Sequence, residues 1–280
     1  MGIRGRFSVQ PYCRIAFAVL LTTSLPSFSG TRSTSIVRRH DREDRRYREL
    51  ARRFPAVGRI GYLGEATLIA DGWAVTAAHV ASGMLAQMRR PAIRFGEKEY
   101  EVASVYAEPR WADVGPHDIA LVRLAASVPD LRPVPLFPGG KEQGDTAFLV
   151  GAGVSGEGSR HRRADDDQMR AATSVIDSVD AWALYFSFDE PPNGTDLEGA
   201  AGPGDSGGPA IVAVGDDMFV AGVVSAGYSG RSGPASYGAV DIYTRVSAYL
   251  AWARSVMDGY VDATWVTGRD RLARRGAPKH

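Results

Sequence analysis

The chain has 280 residues, 44% of them hydrophobic, and a formal net charge of +1. That length allows a substantial buried core, and the near-neutral balance gives no overall attraction to nucleic acid, so no nucleic-acid partner is expected. With one cysteine and five histidines that form no close ligand pair, neither a metal nor a cofactor is expected.

The first thirty residues carry Arg4, Arg6 and Arg14, then an apolar run from Ile15 to Leu21 that trails to Leu25, then small residues from Pro26 to Gly30. The run is shorter than the ~20 residues a bilayer span needs. Residues 1–29 therefore read as a cleaved signal peptide, which predicts a secreted or periplasmic protein without stable membrane association; an uncleaved anchor is the other outcome. Ser27 and Ser29 have the small-residue spacing that signal peptidase reads, and so do Ser33 and Ser35, so cleavage after residue 29 or as late as residue 35 fits. Cys13 lies inside this segment, which leaves the mature chain without cysteine.

Arginine is dense from Arg38 to Arg53 and again from Arg269 to Arg275, and acidic residues interleave the first run; both read as solvated faces. Beyond them, short runs rich in Val, Ile, Tyr and Phe alternate with Gly, Pro, Asp and Ser clusters. Strands are predicted over 57–63, 66–70, 92–95, 100–106, 119–124, 147–150, 182–188, 210–214 and 219–225, an all-β pattern of barrels or a sandwich. Four prolines between Pro129 and Pro138 mark a connecting segment, and 155–167, with Arg160 to Arg163 followed by three aspartates, reads as a surface loop. Val246, Leu250, Ala251, Ala253 and Val256 fall near helical spacing and predict a helix over 246–258, followed by a polar, basic tail from 259 to 280.

The chemistry is carried by Gly204-Asp205-Ser206-Gly207-Gly208-Pro209, a glycine-rich turn that presents a serine hydroxyl among backbone N–H groups. A serine needs a base to take its proton and a group to orient that base. His79, in Thr76-Ala77-Ala78-His79, and Asp118, in Asp118-Ile119-Ala120-Leu121, are the candidates. The segment Gly204 to Gly208 also reads G-x-S-x-G, the nucleophile elbow of the α/β-hydrolases. That reading requires a histidine after the serine, and the only one is His280, the last residue of the tail. Taken singly, the turn, the histidine and the aspartate each have an ordinary structural reading. The order His79, Asp118, Ser206 is what joins them.

In that order, and with Tyr243-Thr244-Arg245-Val246 before the terminal helix, the chain resembles the chymotrypsin/trypsin-type serine endopeptidases, closest in character to bacterial secreted members, over about residues 36–258. The resemblance implies two six-stranded antiparallel β-barrels, at about 36–130 and 139–245, with a C-terminal helix. His79 and Asp118 would come from the first barrel and Ser206 from the second. It implies a Ser206 nucleophile, His79 as base and then acid, Asp118 as orienting group, and an oxyanion hole of the Gly204 and Ser206 N–H groups, each worth about 3 kcal/mol in the transition state. Animal relatives have a disulfide at the residue after the histidine; here that position is Val80.

The same resemblance places Ala200 where trypsin-like enzymes have the pocket aspartate, which argues against simple cleavage after Lys or Arg. Ser225-Ala226-Gly227 would pair with extended substrate backbone, and Asp241 would fall on another wall of the pocket. Two readings of Asp241 stand: a carboxylate that receives a basic side chain, or one that turns away and pairs structurally, for example with Arg245. In the family a freed Ile-Val amino terminus pairs with the aspartate before the serine, here Asp205, and Ile36-Val37 is the candidate, although it continues Arg38-Arg39 rather than Gly-Gly. The expected protein is a monomeric endopeptidase acting on peptide or protein substrates through an acyl-enzyme, with a protein inhibitor as a second kind of partner the family admits. The competing reading is a catalytically silent protease-like binding protein, or a zymogen awaiting activation.

Overall fold

A computed structural model of the protein describes residues 36–160, 163–164 and 166–266. The signal-peptide reading of 1–29, the later cleavage point at 35 and the tail beyond 266 lie outside the described residues. The described chain opens on β1 (Val37–Arg38) and α1 (Asp44–Ala51). α1 is charged at most positions and buries only Tyr47 and Ala51. Tyr47 is fully enclosed and its hydroxyl donates to the Glu198 carbonyl at 2.9 Å.

The first barrel follows: β2 (Val57–Ile60), β3 (Gly64–Ala70), β4 (Trp73–Thr76), α2 (Ala78–Gln87), β5 (Ala92–Phe95), β6 (Lys98–Ala107) and β7 (Ala120–Leu124). Its strands run in the order β6-β5-β2-β3-β4-β7, and β6 pairs with β7 to close the cylinder. β6 can serve both neighbours because a register shift between Val102 and Ser104 re-aims it from β5 to β7. Ile60, Leu68, Met84, Ile93 and Leu121 fill the interior. Thr76 of β4 pairs with Ala120 of β7. His79, just past β4, and Asp118, just before β7, therefore leave the barrel at the same rim.

The second sheet comprises β8 (Thr146–Gly151), β11 (Arg170–Val175), β12 (Ser178–Val179), β13 (Ala183–Ser187), β15 (Pro209–Val214), β16 (Asp217–Tyr228) and β17 (Val240–Arg245), while β9 (Ser155–Glu157), β10 (Arg163–Ala164) and β14 (Gly199–Ala200) join β1 in a small separate sheet. Its order is β11-β8-β15-β16-β17-β13-β12. The all-β, chymotrypsin-like architecture is the expected one, but this half is a curled sheet with an open seam rather than a second closed barrel. The reason lies at β11, whose free edge is taken by the chain leading into β14: Thr173 N–H donates to the Leu197 carbonyl at 2.9 Å. Leu149, Leu184, Phe186, Val212 and Tyr243 form this half's core.

The proline-rich segment does connect the halves: Val134 N–H donates to Leu68 O of β3, and Phe137 N–H to Val220 O of β16. Part of the expected surface loop at 155–167 is instead the β9–β10 hairpin. The expected terminal helix is present as a 3₁₀ turn, Val246–Tyr249, running into α3 (Leu250–Met257). Past it, β18 (Trp265–Val266) pairs with Val105 and Ser104 of β6.

Candidate active site

His79 stands in the first turn of α2, and its Nδ1 lies 2.6 Å from Asp118 Oδ2. The histidine's own backbone N–H donates to Asp118 Oδ1 at 2.9 Å, so one carboxylate fixes both the ring and its backbone. Asp118 is fully buried, with Ser225 Oγ donating to its Oδ2 at 2.6 Å and Thr244 Oγ1 donating to its carbonyl at 2.9 Å. Ser225 was expected to meet substrate backbone; its hydroxyl also serves Asp118. His117, immediately before Asp118, holds a positive φ of 69° and its Nδ1 contacts Tyr249 Oη at 2.9 Å.

Ser206 sits on a turn fixed from both sides. Its carbonyl accepts the Glu65 N–H of β3 at 2.8 Å, and Gly207 N–H donates to Val224 O of β16 at 2.9 Å. Gly204 and Gly207 have φ of 100° and 80°, a region that favours glycine. At Gly207 a Cβ would also collide with Thr76 Oγ1, at 2.3 Å, and with Glu65 O, at 2.4 Å. Among the described residues no acceptor takes the N–H of Gly204 or of Ser206, and no hydrogen bond joins Ser206 Oγ to His79. Beside the turn, Val80 packs where a relative would place a disulfide; a Cβ on Gly64 would come 3.0 Å from its Cγ2.

Asp205 is wholly buried. Its Oδ2 accepts Gly202 N–H at 2.7 Å and its Oδ1 accepts Gly153 N–H at 3.1 Å. Burial outweighs these two donors and pushes its carboxyl up to about 8. Ile36, its expected partner, is buried among Tyr47, Leu149 and Ala172. Val37 pairs with Ala200 and Gly156, so β1 is built into the second half rather than left outside it. The Arg38-Arg39 departure is accommodated by ion pairs: Arg38 with Glu157 at 2.9 Å, and Arg39, only 4% exposed, with Asp41 at 2.6 Å. The solvated-face reading of this run therefore fails at Arg39.

A cavity of about 210 Å³ opens beside Ser206, lined by Ala201, Gly202, Ser225, Gly227 and Asp241 among others. Ala200 does not line it; that side chain packs with Val37, Phe188 and Tyr237, and its neighbour Ala201 takes the wall. Asp241 lies opposite Gly227 across the β16–β17 ladder. Its Oδ2 accepts Ala201 N–H at 2.6 Å, and burial pushes the carboxyl up to about 7. The structural alternative for Asp241 is overturned in its detail: Arg245 pairs with Glu142 at 2.6 Å, not with Asp241. One residue that sequence reasoning missed is Glu65, fully buried under the turn. The available signal was a lone charge in Gly64-Glu65-Ala66-Thr67-Leu68-Ile69-Ala70.

A family model described as Trypsin matches residues 49–253. A trypsin from Phaedon cochleariae is 30% identical over 204 residues, which cover 66% of this chain and 75% of that protein. Among solved structures, neuropsin, a serine protease expressed in the limbic system of mouse brain, superposes with a TM-score of 0.58 at 22% identity, over 74% of this chain and 96% of its own. The match in fold agrees with the barrel and curled sheet described above, and with the extent and identity of the sequence matches it makes the chain a member of the trypsin family of serine proteases.

Proposed function

We propose that the protein is an exported endopeptidase that cleaves peptide bonds through an acyl-enzyme on Ser206. The observation that carries the reading is the pairing of His79 Nδ1 with buried Asp118 beside a turn whose Gly204 and Ser206 N–H groups have no acceptor among the described residues. His79 Nε2 takes the Ser206 hydroxyl proton as Oγ adds to the substrate carbonyl, and the two N–H groups receive the developing oxyanion. The same proton then passes from His79 to the leaving amine, and a water molecule repeats the sequence to release the acid. Asp118 holds the ring so that Nε2 faces the serine. No cofactor enters any step.

The cavity beside Ser206 receives the side chain preceding the cut bond, with Gly227 leaving its mouth open and Asp241 at its wall. Burial of Ile36 and the sheet position of Val37 support a mature amino terminus at Ile36, whose ammonium would meet Asp205. Cleavage after Ser35 during export would supply it without a zymogen stage. A fluorophosphonate applied to the purified mature protein, read by intact mass, tests both points. Stoichiometric labelling is expected, lost in Ser206→Ala and in His79→Ala, on a chain that begins at Ile36. A folded protein that takes no label refutes the catalytic reading, and a fully active chain that begins at Gly30 refutes the activation route.

A further inference from the structure

Glu65 is placed where a charged side chain needs a reason. It is fully buried, and both its backbone and its side chain engage the segments that shape the catalytic turn. Its N–H donates to Ser206 O at 2.8 Å, and its carbonyl accepts Thr76 Oγ1 at 2.6 Å. Its Oε1 accepts Ala152 N–H at 3.0 Å, one residue before Gly153, which holds Asp205. Its Oε2 is buried without a hydrogen-bond partner.

Two backbone carbonyls border the space that Oε2 faces. A Cβ built on Gly208 would lie 2.8 Å from Val150 O, 2.9 Å from Asp205 O and 3.4 Å from Glu65 Oε2, so the carboxyl and two carbonyls converge on one small space. An ionised carboxylate oxygen left without a donor beside two carbonyls is unfavourable, whereas a protonated carboxyl presents a donor there. Of the charged and titratable groups around Glu65, Asp205 from the turn repels a second negative charge, Tyr243 from β17 is held neutral because burial pushes its hydroxyl well above the ordinary range, and Arg59 from β2 acts only weakly. Burial first, and Asp205 second, push the Glu65 carboxyl well above the usual carboxylate range.

We propose that Glu65 is a positioning residue of the catalytic turn that works with a proton on Oε2, tying the 152–153 loop and the 205–208 turn to β3 and so aiming the Gly204 and Ser206 N–H groups. The inference rests on the catalytic reading above for its kinetic consequence, but not for the proton itself.

Glu65→Gln keeps the acceptor for Ala152 and replaces the O–H donor by N–H; Glu65→Ala removes both. With a substrate of neutral side chain, so that Asp241 is not read, Glu65→Gln is expected to retain kcat at pH 7 and Glu65→Ala to lose about a hundredfold in kcat with KM little changed, as for a lost oxyanion donor. The alkaline fall of kcat in the wild type should move to higher pH in Glu65→Gln. An alkaline limb that does not move, or a Glu65→Gln protein as slow as Glu65→Ala, overturns the proposal. Infrared difference spectra of the full chain at pH 7 supply a readout independent of turnover. The C=O stretch of a protonated carboxyl should be present in the wild type and diminished in Glu65→Gln, and equal bands in the two overturn the proton. Should the wild type fail to label with fluorophosphonate, the catalytic reading falls while the infrared result still decides the protonation of Glu65.

Discussion

Asp241 carries one strong hydrogen bond, from Ala201, and otherwise lines the small cavity beside Ser206. Its carboxyl titrates at about 7, so the pocket wall is neutral below that pH and negative above it. An incoming arginine or lysine gains a charge-assisted partner only in the second state. The ratio of kcat/KM for cleavage after Arg to that after Leu is therefore expected to rise as pH passes from 6 to 8, by about fivefold for an interaction of about 1.5 kcal/mol. Asp241→Asn should flatten that rise, and Asp241→Gly should weaken cleavage after Arg more than after Leu. Equal losses on both substrates would sink the specificity role. Residues of this kind mark the boundary of what a sequence discloses. The candidates Ser206, His79 and Asp118 could be picked out because the chemistry proposed for them demands fixed residue types in a fixed order. Glu65, the second duty of Ser225 and the Thr244 bond to Asp118 were not, because each depends on which strand lies next in space.

The same contrast holds for elements. Strands with bulky alternating residues, such as β5 and β8, could be read within a residue or so of their ends. β11 could not, because Ala171 and Ala172, buried on its two opposite faces, are small and its first residue is an arginine. β17 was hidden by the acid at an inward position, and α1 by a sequence in which two buried residues among eight leave no visible period. What secures α1 is Arg170 at the start of β11. Its guanidinium, almost fully enclosed, grips Asp44 of α1 at 2.6 and 2.9 Å and Asp166 at 2.8 and 2.6 Å. Removing a buried arginine from such a pair typically costs 3–5 kcal/mol, but Asp44 and Asp166 are 27% and 41% exposed and water can reach them. Arg170→Ala is accordingly expected to lower the unfolding free energy by about 2 kcal/mol in urea titration. Arg170→Lys should recover only part of that, since an ammonium cannot bind both carboxylates side-on. Full stability in Arg170→Ala would show that the apolar packing of Tyr47 alone holds the helix.

Across the whole molecule, the two halves solve the edge problem differently. The first closes its hydrogen-bond circuit on itself, and the second leaves a seam that the 195–200 segment covers. That asymmetry was not legible, because closure depends on a bulge in β6 and on a loop competing for β11, neither of which alters hydrophobic pattern. The pairing of β18 with β6 is the other feature of this scale. Trp265 packs against the core of the first barrel, and Ala107 N–H donates to Thr264 Oγ1 at 2.9 Å. A chain cut after Gly259 would uncover Ser104 and Val105 as a bare strand margin, a template for joining a second molecule. Such a protein is expected to run as larger species on size exclusion and to melt earlier, whereas one that stays monodisperse at the wild-type Tm would show that the margin protects itself. The practical border of the folded unit thus falls beyond both the terminal helix and the stretch matched to the family, 49–253. Residues 260–266 act as a guard rail for the barrel, so trimming to the family outline would remove protection against self-association while leaving every expected catalytic residue in place.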